Sequence, residues 1–183
     1  SLVLSTVFQK LNITSRASRF ILSLITPTPS IVLLVLMLIN LFIGAFLSNV
    51  ASTTLTLSLA IPIIKTLHPT DPFIKAILFG IAWSGNCGGQ PTTIASPQNV
   101  IAAHVINESG SRISFLSWIT FGTPVSIILT LLQWFYLITV FPKSSNTRLQ
   151  ISTSINEEPW STKHSIAVIV TFVTIFLWSF GDT

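Results

Sequence analysis

Charge is what this sequence has least of. Asp, Glu, Lys and Arg together make up 8% of its 183 residues, whereas soluble domains carry roughly 25%. Five residues are acidic, and Asp71, Glu108, Glu157 and Glu158 fall in predicted loops, where a solvated surface role is the plain expectation. No carboxylate is therefore expected at membrane depth, which argues against a proton relay of the usual Asp/Glu type. Cysteine occurs once, at Cys87 in a glycine-rich apolar context, so the chain has no disulfide framework of its own. Metal-ligand spacings, a nucleophile–His–acid arrangement and a Walker-type loop are all missing, so no enzyme and no cofactor are expected. The nine Lys and Arg give a net charge of +4, but they are scattered through connecting segments and form no nucleic-acid-binding patch.

Apolar residues, by contrast, make up 50% of the chain, and the mean hydropathy is +0.77. These values predict an all-α integral membrane protein embedded in a lipid bilayer. Five apolar segments stand out: Ile31–Leu47, Thr54–Leu67, Phe73–Trp83 continuing brokenly through Thr93–Val105, Ile113–Phe141, and Ser165–Phe180. A helix needs about 20 residues to cross a bilayer, so Ile113–Phe141 can cross with tilt while the others are individually short. Ser1–Thr26 has mixed polarity and is expected to hold an interfacial helix; Thr26-Pro27-Thr28-Pro29-Ser30 then breaks the chain. The chain starts at Ser1 without a signal sequence and stops just after an apolar run, so it is expected to be a fragment. Trp118, Trp134, Tyr136, Trp160 and Trp178 suit interfacial anchoring or lipid contact. His104 is placed at the end of a half-helix, in an interfacial or capping role.

Topology follows from the preference of Lys and Arg for the cytoplasmic side. If Ile31–Leu47 and Thr54–Leu67 were separate crossings, Lys10, Arg16, Arg19 and Arg112 would oppose Lys65, Lys75, Lys143, Arg148 and Lys163, which selects no orientation. If 31–67 is instead a re-entrant hairpin and 73–105 one broken crossing, every basic residue except Arg112 shares one side. The hairpin is the preferred reading, with its tip, the polar cluster Ser48–Thr54, at membrane depth.

Non-helical backbone at that depth survives only where protein or a water-filled cavity satisfies it. Ser48 and Asn49 are good N-caps, and a resumed helix would aim its free N–H groups and positive dipole end at the cavity, a ready anion site. The stretch "WSGNCGGQPTTIASPQNVIA" from Trp83 to Ala102 repeats the logic. Gly85, Asn86, Gly88 and Gly89 end one half-helix and release carbonyls able to hold a cation, and Ser96-Pro97 opens the next. Paired discontinuous helices of this kind mark secondary transporters. Ser48, Asn49, Ser52, Thr93 and Ser96 are the candidate substrate ligands.

At these two breaks the chain resembles the divalent anion/sodium symporter family. Ser48-Asn49 is similar to that family's Ser-Asn-Thr hairpin tip, and Gly88-Gly89 through Ser96-Pro97-Gln98-Asn99 to its Gly-Gly stretch ending in Pro-x-Asn. "SNVA" and "SPQNVIA" look most like fungal low-affinity phosphate transporters, in which a soluble SPX domain precedes the membrane domain. The resemblance implies an elevator-type transporter with two inverted repeats, dimeric when full length, in the plasma or vacuolar membrane. Residues 1–141 would belong to the first repeat, 142–164 to a cytoplasmic linker and 165–183 to the start of the second. It further implies that Ser48 and Asn49 contact anion and sodium, and that Ala95–Asn99 contributes to the cation site. The chain departs from the family at Val50, which replaces the tip Thr, at Gly44, where relatives often carry Ser, and at Gln90-Pro91. The expected activity is cation-coupled, sodium-driven transport of inorganic phosphate. The alternatives are a sulfate or dicarboxylate symporter, an anion channel, for which no ring of pore-lining charge is visible, and a non-transporting scaffold or remnant.

Overall fold

The computed structural model describes residues 28–142 and isolated helical positions between Thr162 and Val173. The expected interfacial stretch 1–26, residues 143–161 of the linker, most of 165–183, and with them Glu157, Glu158, Trp160 and Trp178, lie outside the described residues. Among the described residues every regular element is a helix: α1 (Pro29–Gly44), α2 (Asn49–Lys65), α3 (Pro72–Gly88), α4 (Pro97–Glu108) and α5 (Phe115–Val140).

Local chemistry sets most of these boundaries. Proline occupies the first turn of α1, α3 and α4, where its missing N–H leaves no bond unmade. Ser48, Asp71 and Ser114 cap α2, α3 and α5: their side chains accept from the N–H groups of Ala51 at 3.3 Å, Phe73 at 2.9 Å and Ser117 at 3.1 Å. Gly110, in the turn that follows α4, takes φ +90°, a backbone conformation that side-chain-bearing residues rarely adopt. Two sequence-based placements are corrected here. The hairpin tip is the turn Ala45–Ser48, and Asn49–Thr54 are already helical, because Ser48 supplies the cap and the chain has nothing after it to delay the helix. Asp71 is not a solvated loop residue but a buried cap, 6% exposed, held there by the Phe73 N–H.

The core is built where α1 and α3 pack together, with α2 and α5 against them. Val32, Leu33, Leu36 and Met37 of α1 meet Phe73, Ile77 and Ile81 of α3, closed by Ile63 of α2 and Leu137 of α5. At their C-terminal ends α1 and α3 approach through glycine. A Cβ on Gly44 would lie 3.0 Å from the Gly88 Cα, and one on Gly88 would lie 3.1 Å from the Gly44 Cα and the Leu41 carbonyl. Small residues allow such close backbone approach in membrane helices, where packing rather than water exclusion drives association. The crossing gives a physical reason for glycine at position 44.

Helix α5, with 26 residues, is the one described helix long and apolar enough to cross a membrane; at 1.5 Å per residue it reaches about 39 Å, beyond a hydrocarbon core of about 30 Å. Its buried residues Phe115, Trp118, Gly122, Ser126, Thr130 and Leu137 form one stripe at helical spacing. Leu132 and Phe135 on the remaining surface are exposed. Trp118 and Trp134 depart from the expectation of simple interfacial anchoring. Their indole N–H groups donate to the Gln90 carbonyl at 2.9 Å and the Ser30 carbonyl at 2.8 Å, so both fasten α5 to the bundle. Helix α4 contributes no buried residue, and its His104 lies a turn before the end, 3.4 Å from Glu108 and exposed.

Candidate functional site

The two interruptions of the bundle meet. The tip Ala45–Ser48 joins α1 to α2, the break 89–96 joins α3 to α4, and the Gly44–Gly88 crossing brings them side by side. A side chain on Gly89 would strike the Asn49 amide, 2.6 Å from Nδ2 and 3.0 Å from Oδ1, so the absence of one lets Asn49 lie directly on the backbone of the break. The Thr92 hydroxyl then donates to the Ala45 carbonyl at 2.5 Å, tying break to tip by a second route.

Each expected site residue has a definite place. Ser48 caps α2 and is half-buried. Asn49 follows it, and its Oδ1 is buried without a hydrogen-bond partner. Ser52 is fully buried, and its hydroxyl donates to the Asn49 carbonyl at 3.0 Å, which closes the first turn of α2 rather than leaving that oxygen unshared. Thr93 is half-buried in the break, and Ala95 is buried, with its N–H donating to the Thr92 carbonyl at 3.2 Å. Ser96 occupies the cap position of α4 with extended backbone, but its side chain makes no capping bond. Asn99 reaches back into the break, and its Nδ2 donates to the carbonyls of Gly89 and Thr92, both at 2.8 Å. Two of the carbonyls released by the break are therefore bridged by one amide, which holds the loop in shape.

Several residues that organise this region were not picked out from sequence. Gln90 was marked only as a departure from a family pattern. Its carbonyl receives the Trp118 indole, and its Oε1 lies 3.5 Å from the Ser126 hydroxyl. Gly122 makes that seat possible, since a Cβ there would lie 2.8 Å from the Gln90 carbonyl. Gln133 donates from Nε2 to Cys87 Sγ at 3.4 Å, one more tie from α5 to the end of α3. Asn40, fully buried in α1, donates from Nδ2 to the Ile81 carbonyl at 2.6 Å and to Ser84 Oγ at 3.1 Å. The available signal was the presence of Asn40, Gln90 and Gln133 within or beside apolar runs, where an amide is costly unless paired.

Chemically the arrangement offers a helix N-terminus capped by Ser48, a second one at Ser96-Pro97, amide and hydroxyl groups between them, and neutral oxygens. Interrupted helices whose breaks lie side by side are the arrangement that secondary transporters use around their substrates. The chain belongs to the citrate transporter family CitMHS, whose family model matches residues 1–182. It is 34% identical over 167 residues to the inorganic phosphate transporter PHO87 of Saccharomyces cerevisiae, covering 91% of this chain and 18% of that protein. To the low-affinity phosphate transporter PHO90 of the same yeast it is 33% identical over 150 residues, covering 82% and 17%. To the sodium-dependent dicarboxylate transporter SdcS of Staphylococcus aureus it is 28% identical over 146 residues, covering 74% and 28%. The chain thus spans less than a fifth of the length of the yeast relatives it matches. The family and these relatives are transporters and not enzymes.

Proposed function

We propose that this chain forms the first half-site of a sodium-coupled secondary transporter for inorganic phosphate. The observation that carries the reading is the contact of Asn49 with Gly89, which joins the two interruptions into one polar locus. The phosphate oxyanion is received by N–H groups at the starts of α2 and α4, with the side chains of Ser48, Asn49, Ser52, Thr93 and Ser96 around it. Sodium is held by neutral oxygens of Ser48 and Asn49 and of the loop from Ala95 to Asn99. The identity of the yeast relatives supports phosphate over dicarboxylate, and the printed name of the staphylococcal relative supports sodium. In this reading α1 and α2 form a re-entrant hairpin, α3 and α4 one broken crossing, and the second inverted repeat lies downstream. The full-length protein works as a homodimer by an elevator motion.

The test is phosphate uptake by the full-length protein in reconstituted vesicles. Uptake should rise with an inward sodium gradient. Asn49→Ala removes a donor to a charged ligand, worth about 1.5–3 kcal/mol, so apparent phosphate affinity should weaken about tenfold to a hundredfold at normal yield. Ser96→Ala should also lose uptake. Ser58→Ala, on the exposed face of α2, where its hydroxyl only donates to the Thr54 carbonyl at 2.9 Å, should match wild type. Normal phosphate affinity in Asn49→Ala would refute the site, and full uptake driven by protons with no sodium effect would refute the coupling.

A further inference from the structure

Four aromatic rings form a ladder where α3 and α5 run side by side. Phe141, just past the end of α5, stacks on Phe79 with ring centroids 6.0 Å apart. Phe79 meets Trp83 of its own helix at 5.9 Å, and Trp83 meets Tyr136 of α5 at 6.0 Å. Trp83 and Phe141 are partly buried against the core, which fixes the ladder in place. Phe79 and Tyr136 stand out from it, 45% and 52% exposed. Lys75, Phe79 and Trp83 follow one another at four-residue steps along α3 and so share one stripe of that helix. Lys75 is exposed. The acid one turn earlier, Asp71, is buried and caps α3 through the Phe73 N–H, and among the described residues Lys75 has no ion pair. The ladder also differs from the other indoles of α5. Trp118 and Trp134 donate to backbone carbonyls inside the bundle, whereas no hydrogen bond among the described residues uses the Trp83 indole or the Tyr136 hydroxyl.

The stripe is thus positive at one end and aromatic over the next two turns, which complements a phospholipid with an anionic headgroup above hydrocarbon. The spacing agrees. Phe79 lies about 6 Å and Trp83 about 12 Å along the helix from Lys75, and the headgroup region of one leaflet is about 5–8 Å thick. A phosphate at Lys75 therefore puts the upper acyl chain at the level of the rings. The charge decides between occupants. A free inorganic anion would match Lys75 and leave the rings bare, and a zwitterionic lipid carries its own cation beside its phosphate. An acidic phospholipid covers the rings and matches the lysine. In the re-entrant topology Lys75 is on the cytoplasmic side, where the leaflet is the acidic one.

We propose that this face of α3 and α5 binds an acidic phospholipid, with its headgroup at Lys75 and an acyl chain along Phe79, Trp83 and Tyr136. Purified full-length protein in detergent would be titrated with phosphatidylserine brominated on its acyl chains, and with the matching brominated phosphatidylcholine, while quenching of tryptophan fluorescence is read. No phosphate is added, so the outcome does not depend on the transport assignment. The serine lipid should quench a saturable fraction that is missing in Trp83→Phe, with an apparent affinity about fivefold above that of the choline lipid, the factor expected of one lysine facing acidic lipid. Lys75→Gln should abolish this preference and Lys75→Arg should keep it. Lys65→Gln, at the exposed end of α2, should keep it too. Equal binding of the two lipids by wild type, or a preference that survives Lys75→Gln, overturns the proposal. So does a preference lost equally in Lys65→Gln, which would mark diffuse attraction to a basic surface. Quenching unaltered by Trp83→Phe also overturns it, since other parts of the full-length chain would then cover the ladder. Should Trp83→Phe fail to fold, Tyr136→Leu at its exposed position should weaken binding of the serine lipid about two- to tenfold, and an unchanged affinity there has the same force.

Discussion

Replacing Thr92 by Val isolates the tie between the two interruptions. The two side chains have nearly the same shape and Thr92 is 2% exposed, so the substitution changes little but the hydroxyl. That hydroxyl donates at 2.5 Å to the Ala45 carbonyl in the tip turn. Valine leaves the carbonyl facing a methyl group, and a buried polar group deprived of its partner costs about 1–3 kcal/mol. This energy acts where tip and break are held in register, through Asn49 on Gly89 and through Asn99 on the Gly89 and Thr92 carbonyls. If phosphate binds across both, the binding-competent arrangement loses that much stability. At 1.4 kcal/mol per factor of ten, apparent phosphate affinity should fall by up to about 150-fold, and by about fivefold at the lower end. The assay is the concentration dependence of phosphate uptake by full-length protein in vesicles, paired with thermal unfolding of the purified protein. Thr92→Ser, which keeps the hydroxyl, should recover affinity. An affinity within twofold of wild type for Thr92→Val, at normal yield, would show that tip and break do not act as one site.

Three further outcomes follow from the same geometry. Single cysteines introduced in a Cys87-free background at positions 65 and 143 should label from the same face of the membrane, since only the re-entrant reading gathers the basic residues; labelling from opposite faces removes the hairpin. Trp118→Phe keeps the ring but deletes the donor to the Gln90 carbonyl, so thermal stability should drop by about 0.5–1.5 kcal/mol, and an unchanged melting temperature would mean that Gln90 is held by other means. Gly88→Ala places a Cβ against the backbone of Gly44, Leu41 and Asn40 at 3.1–3.3 Å, where overpacking costs about 1–3 kcal/mol; a gain in stability would contradict the close crossing of α1 and α3.

Much of the chain's organisation could be read in advance because it rests on local chemistry. Prolines at helix starts, the Ser48 cap, the glycine-rich end of α3 and the Ser96-Pro97 start of α4 each act over a few residues, so their identity and order suffice. The length and apolarity of α5 were equally plain. The tip was misplaced toward Thr54 because a run of Ser and Thr resembles a loop in composition. In the fold those hydroxyls are absorbed by the helix, through Ser52 on the Asn49 carbonyl and Thr54 on that of Val50. Asp71 was misread for the complementary reason: a carboxylate in a short connection looks solvated until the cap it makes is seen.

What composition and spacing determined, then, was the class and the punctuation: 8% charged residues with half of the residues apolar is the composition of a bilayer protein, and the breaks fall where Gly, Pro and Ser interrupt apolar runs. What only the tertiary structure decided was which groups meet across helices. Asn49 against Gly89, Thr92 on Ala45 and Trp118 on Gln90 join residues from 28 to 47 positions apart. No local rule reports such pairs, because they depend on how closely two backbones approach. Here that distance is set by glycines at 44, 85, 88, 89 and 122, whose missing side chains acquire meaning only when the opposing helix is in place.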